Sequence, residues 1–298
     1  MSPTLTRRAA FGLAATLLLA ACALWSCSSR SVTKLMPWGD RRPKVGLVLS
    51  GGFARGFAHV GVIRVLERQK IPIDIIVGSG TGSLIGAIYA ERKSASDLER
   101  IALSLEEADI FDYNFINPNQ GFARGERLAD LITKALSTKD LERLRIPFAA
   151  IATDLETGAA ISLQSGSIAR AVRASNALPG IFRPVSYEGK LLVDGCVADN
   201  VPIDVARKLG ADIVIAVDLS DGNPVPQMNG IFDGLVQGLF LMARQAADAK
   251  LKRADVVIRP KLGSAGLMDF TRKKELAALG MAAAEETLPA LRAKIGAK

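Results

Sequence analysis

A single histidine, His59, stands among 298 residues. One imidazole excludes a multi-histidine metal centre and gives a Ser-His-Asp triad only one candidate for its base. Aromatic residues make up 5%, too few for a surface that recognises sugars or nucleic-acid bases by stacking. The three cysteines, Cys22, Cys27 and Cys196, do not amount to a disulfide scaffold, and nothing in the sequence pairs Cys27 with Cys196. No acidic loop has the spacing of a calcium site, so no metal is expected. No internal repeat and no Pro/Gly/Ser-rich linker follow Pro43. What is present is apolar: 49% hydrophobic against 23% charged residues, enough for a sizeable core. The formal charge of +8 is spread out, with Arg272-Lys273-Lys274 as the longest basic run. Such a diffuse excess suits anionic lipid headgroups and nucleic acid equally and decides neither.

The first residues read as an address. Arg7 and Arg8 form a positive start, Phe11 to Ala21 is an unbroken run of small and apolar residues, and Cys22 ends it. That is the layout of a secretory signal, too short for a comfortable membrane span. Leu19-Ala20-Ala21-Cys22 resembles a bacterial lipobox, in which the cysteine thiol is lipidated and becomes the new N-terminus. The expectation is a signal peptide over 1–21, a lipidated tether over 22–43 and one domain over 44–298. Ala23 after the cysteine leans toward the outer membrane, facing the periplasm. An ordinary cleaved signal, or a short N-terminal anchor, is the alternative.

From Lys44 onward short apolar runs alternate with helical patterns. Strands are expected at Val45 to Leu49, Ile73 to Val77, Phe148 to Thr153, Ala160 to Leu163, Leu191 to Val193, Ile213 to Val217 and Val256 to Ile258. Helices are expected at Phe57 to Gln69, Ser83 to Arg92, Ser96 to Leu105, Glu126 to Leu136, Ser167 to Ser175, Pro202 to Leu209, Gly230 to Lys252 and Lys273 to Lys294. Interleaved strands and helices imply an α/β fold with a mainly parallel sheet covered on both faces. Asp109 to Gly121 has no clear period and reads as a lid over an apolar site or as a surface loop. Gly230 to Met242 is apolar on more than one face and reads first as core.

Two glycine-rich turns carry the chemistry. Ser50-Gly51-Gly52-Phe53-Ala54-Arg55-Gly56 joins the first strand to the first helix, and N–H groups in such a turn can hold an anion. That anion is a phosphate or the oxyanion of an acyl-transfer intermediate; a plain tight turn is the alternative. His59, one turn further on, is a general base or a packing histidine. The second turn, Gly78-Ser79-Gly80-Thr81-Gly82-Ser83, has the strand-to-helix setting of a nucleophile elbow, G-x-S-x-G. Gly78 and Gly82 fit the flanking glycines, but the central position is Gly80, which cannot attack anything. Ser79 is one residue early and Ser83 three residues late. A dinucleotide loop fits less well: its third glycine would be Ser83, and no acidic residue answers for a ribose. Asp194, at the end of an apolar run and before Gly195, reads as a general base or as a turn residue.

Together these residues resemble the patatin-like phospholipase family, from about Lys44 to Leu219. Ser50 to Gly61 is similar to its Gly-rich block. Ala152-Thr153-Asp154-Leu155 with Gly158, and Ala171 to Ser175 with Leu178 to Phe182, are similar to further signatures. Asp194-Gly195 and Asn200-Val201-Pro202 match its Asp-Gly segment. The resemblance implies a three-layer α/β/α sandwich and a Ser-Asp dyad that hydrolyses acyl esters of lipids. It implies Asp194 as base and the block at Gly51, Gly52, Phe53 and Arg55 as oxyanion hole. Phospholipid or other acyl ester lipids are the implied partners, with no cofactor and no nucleic acid; protein partners stay open. Two departures matter: Gly80 stands where the family has its serine, and Cys196 stands where a small residue is usual. Three readings follow. The first is a hydrolase working through Ser79, Ser83 or a water activated by Asp194. The second is a silent lipid- or partner-binding lipoprotein, with Gly80 enlarging the pocket beside Asp194. The third, a nucleotide-binding domain, is weak.

Overall fold

The computed structural model describes residues 41–112, 123–220 and 231–296. The expected signal peptide and nearly all of the tether lie outside these residues, as does most of the expected lid. Pro43–Lys298 forms one compact unit. Its centre is an eight-stranded sheet. In chain order the strands are β1 Val45–Leu49, β2 Ile75–Ser79, β3 Phe148–Asp154, β4 Ala160–Leu163, β5 Val185–Tyr187, β6 Lys190–Asp194, β7 Ile213–Val217 and β8 Val256–Ile258. The helices are α1 Phe57–Arg68, α2 Thr81–Arg92, α3 Ala95–Ser104, α4 Glu107–Ile110, α5 Glu126–Ala135, α6 Ile168–Ser175, α7 Cys196–Asp199, α8 Ile203–Lys208, α9 Ile231–Leu251 and α10 Lys273–Ile295.

The parallel part runs β3-β2-β1-β7-β8. β1, β2 and β7 are buried along their whole length, which is why they read as continuous apolar runs without alternation. The sheet is less purely parallel than the sequence suggests. β4 and β6 pair antiparallel with β3, and β5 pairs antiparallel with β6. β5, not anticipated, is a three-residue strand returned to β6 through Glu188-Gly189, both at positive φ.

Helices cover both faces. On one face Val48, Val77, Ala149, Ile151, Val214 and Ala216 pack with Ile203 and Ala206 of α8 and Ala247 and Leu251 of α9. On the other, Gly86 of α2 lies against Ile76, Phe148 and Leu49. This is a three-layer α/β/α sandwich. The segment expected to be core at the start of α9 is not fully buried. Residues 237–240 are half-buried, and Leu241 and Met242 are exposed. Among the described residues, its helix packs on the sheet through Ala247 and Leu251 in its second half.

Register sets the site. β4 pairs with β3 over Ala150 to Thr153, overlapping both β2, which pairs over Phe148 to Ile151, and β6, which pairs over Ala152 to Asp154. A strand has two edges, so β2 and β6 share the edge opposite β4. They meet head to head there, Ser79 opposite Ile151 and Asp194 opposite Ala152.

Candidate active site

β2 runs two residues beyond its expected end because its pairing with β3 continues to Ser79. The turn therefore falls at Gly80, with φ 52° and ψ −131°. L-residues avoid this region at a cost of about 1–3 kcal/mol, and such strain gathers at functional turns. Gly80 N–H donates to Ser175 Oγ at 3.1 Å. Gly78 and Gly82 touch across the turn, a Cβ on Gly78 falling 2.5 Å from the Gly82 carbonyl.

Both neighbouring serines are fully buried. Ser83 Oγ donates to Gly80 O at 2.7 Å and accepts from Asn176 Nδ2 at 3.1 Å. Ser79 Oγ donates to Cys196 Sγ, at the start of α7, at 3.8 Å. A Cβ on Gly195 would come within 2.7 Å of that hydroxyl.

Asp194 faces the turn. It is 3% exposed, and its Oδ1 accepts the N–H of Cys196 at 2.8 Å. Its backbone is fixed by Asp194 N–H to Ala177 O at 3.0 Å and by Thr153 Oγ1 to Asp194 O at 2.7 Å. No Arg or Lys pairs with it among the described residues. Burial pushes its carboxyl up to about 6, against hydrogen bonds from Cys196 that pull it down.

The space that sequence alone assigns to an enlarged pocket is filled. A Cβ built on Gly80 would lie 3.0 Å from Cys196 Sγ, 3.2 Å from Gly51 Cα and 3.5 Å from Asp194 Oδ1. Cys196 is a free, half-buried thiol. Burial, and then the Asp194 charge, push it well above the ordinary thiol range. Its sulfur also rests on the Gly-rich block, where a Cβ on Gly51 would stand only 2.1 Å from Sγ.

Of the four block residues, Gly51 spends its N–H on Asn200 Oδ1 at 2.8 Å. Arg55 is buried with Nε donating to Ala265 O at 3.0 Å, and its guanidinium stacks on Phe240 at 5.4 Å. It ties the block to the C-terminal half rather than pointing a charge into the turn. The Gly52 and Phe53 N–H groups have no acceptor among the described residues, and Phe53 is held at φ 52°. His59 is fully buried and its Nε2–H donates to Ser50 O at 2.7 Å. Burial pulls it down to about 4, so it stays neutral and fixes the block. Among the described residues no group of His, Cys, Asp or Glu is arranged to hold a metal ion.

Sheet, elbow and Asp-Gly turn define a protein of the three-layer α/β/α class. The patatin-like phospholipase family profile matches residues 47–207, more than half of the chain, and the chain belongs to that family. An uncharacterized NTE family protein of Mycobacterium tuberculosis is 34% identical over 63% of this chain and 52% of its own length. Patatin-like phospholipase domain-containing protein 6 of Homo sapiens is 36% identical over 59% of this chain and 13% of its own. The chain thus aligns with about half or less of these curated relatives. Among solved structures, VipD from Legionella pneumophila superposes with a TM-score of 0.55 at 16% identity, over 85% of this chain and 67% of that one. This likeness supports the fold.

Proposed function

We propose that this protein is an envelope lipoprotein, anchored through Cys22, which takes the acyl chains of phospholipids or other acyl ester lipids into a patatin-like site without the serine nucleophile. The observation that carries the reading is Gly80 at the strained apex of the elbow, its missing side chain directed at Asp194. The other parts of an acyl-transfer site remain beside it: a buried carboxylate with no cation, and N–H donors at Gly52 and Phe53 with no acceptor, among the described residues. Loss of the nucleophile from such a site costs on the order of 10⁶ in kcat. Ser79 and Ser83 are not substitutes in this reading. Ser83 Oγ is spent on the turn's own carbonyl, and Ser79 Oγ is fully buried and spent on the Cys196 sulfur. Serine-type ester hydrolysis by the chain is therefore absent, although the relatives include a protein described as Lysophospholipase nte1 of Aspergillus fumigatus.

The test is release of fatty acid from phospholipid vesicles. It compares the full chain with a Gly80→Ser/Cys196→Gly variant, and with the same variant carrying Asp194→Asn. The reading expects turnover only in the double variant. Equal turnover in the unaltered chain, persisting after Asp194→Asn, would sink it.

A further inference from the structure

The two departures from the family pattern are in contact. The residue that should carry the nucleophile has no side chain, and the thiol of Cys196 occupies the volume its side chain would enter. That thiol lies between a buried carboxylate and the Gly-rich block. Asp194, whose Oδ1 holds the Cys196 N–H, is the adjacent base. Gly51 Cα is against the sulfur, so the free N–H groups of Gly52 and Phe53 follow directly in the chain. The carboxylate is a further sign of a reacting site, because a buried charge with no cation paired to it among the described residues is costly, and such groups gather at functional sites.

We propose that Cys196 Sγ is the acyl-accepting atom of this protein, replacing the absent serine from the opposite side of the same turn. The proposal rests on the reading of the site as one for acyl ester lipids. Sγ attacks the ester carbonyl carbon while its proton passes to Asp194. The carbonyl oxygen becomes an oxyanion held by the Gly52 and Phe53 N–H groups. Collapse breaks the C–O bond, and the leaving alkoxide takes the proton from Asp194, leaving an S-acyl thioester on Cys196. The acyl group then rests on Cys196 as a thioester, and the unaltered chain completes no hydrolytic cycle. The thiol is protonated at rest, so Asp194 must act during the attack, unlike in a preformed thiolate–imidazolium pair. Its carboxyl is ionised at neutral pH and available for that purpose.

The experiment incubates the full chain in detergent with p-nitrophenyl butyrate and locates the acyl group by peptide mass spectrometry. The expected result is one butyryl group on the Cys196 peptide, removed by neutral hydroxylamine as thioesters are. It disappears in Cys196→Ala and forms ~100-fold more slowly in Asp194→Asn. Cys196→Ser keeps the side-chain volume and must lose the hydroxylamine-labile signal. Butyryl on Ser79 or Ser83, none on the unaltered chain, or an unchanged rate in Asp194→Asn overturns the assignment. The Gly80→Ser/Cys196→Gly variant separates the two ideas. If it hydrolyses the ester while the unaltered chain is never acylated, the thiol assignment fails and the acyl-site reading stands. If neither reacts, both fail.

Discussion

Gly80 and Cys196 crowd each other: the Cys196 sulfur lies 3.0 Å from the position a Gly80 Cβ would take, so a side chain at residue 80 makes the thiol give way. A serine at residue 80 and a thiol at residue 196 compete for one volume. Gly80→Ser alone overpacks the site, at a cost of about 1–3 kcal/mol. Cys196→Gly in the same chain relieves it. Urea unfolding of both single variants and the pair should give a coupling of about 0.5–3 kcal/mol in favour of the pair. Additive effects would mean the two positions do not share the space.

The Gly-rich block depends on a residue far along the chain. Asn200 is 4% exposed and takes the Gly51 N–H. Asn200→Ala leaves that donor buried without a partner, a loss of about 1–3 kcal/mol. Thermal unfolding should fall by several degrees.

Two buried titratable groups act in opposite directions on acid stability. Asp194 has a folded value near 6 against 3.8 ordinarily, so folding takes up a proton between these limits and stability falls as pH rises through them. His59 has a folded value near 4 against 6.5, so its contribution is lost as pH falls from 6.5 toward 4. Each shift corresponds to roughly 3 kcal/mol. In Asp194→Asn the opposing slope of that carboxyl is removed, and urea unfolding should show stability dropping between pH 6.5 and 4.5. In His59→Gln the sign reverses, with stability rising over the same interval.

Lipidation has a direct test. Cells expressing the full chain with labelled palmitate should incorporate label into it, and Cys22→Ala should lose both the label and recovery in the membrane fraction. Retained label would refute the anchor.

The fold was readable because its signals are local. β1, β2 and β7 are apolar runs flanked by glycine turns, and α1 carries Ala58, Val62, Val65 and Leu66 at helical spacing. Gly78, Gly80, Gly82, Asp194 and the Gly-rich block were legible as motifs. Their meeting was not, because it depends on β2 and β6 sharing one edge of β3, a matter of register between segments more than a hundred residues apart. The antiparallel β5 was too short to register as a pattern. Cys196 was visible as an oddity and Asn200 as part of a segment. Neither acquired a role until the sulfur was found beside Gly80 and the amide beside Gly51. Two substitutions that look unrelated in sequence gave one signal only as a pair.

The head-to-head meeting of β2 and β6 on β3 works as a ruler. Successive residues of one strand, Ile151 and Ala152, set the distance between the elbow and the aspartate, and that step is about 3.3 Å in any sheet. No loop length adjusts it, so changes in the connecting segments leave the gap alone. A site gauged in this way can change its chemistry only by exchanging atoms within the gap, and a sulfur entering from the helix after the aspartate's strand as an oxygen departs from the elbow is an exchange that the gauge allows.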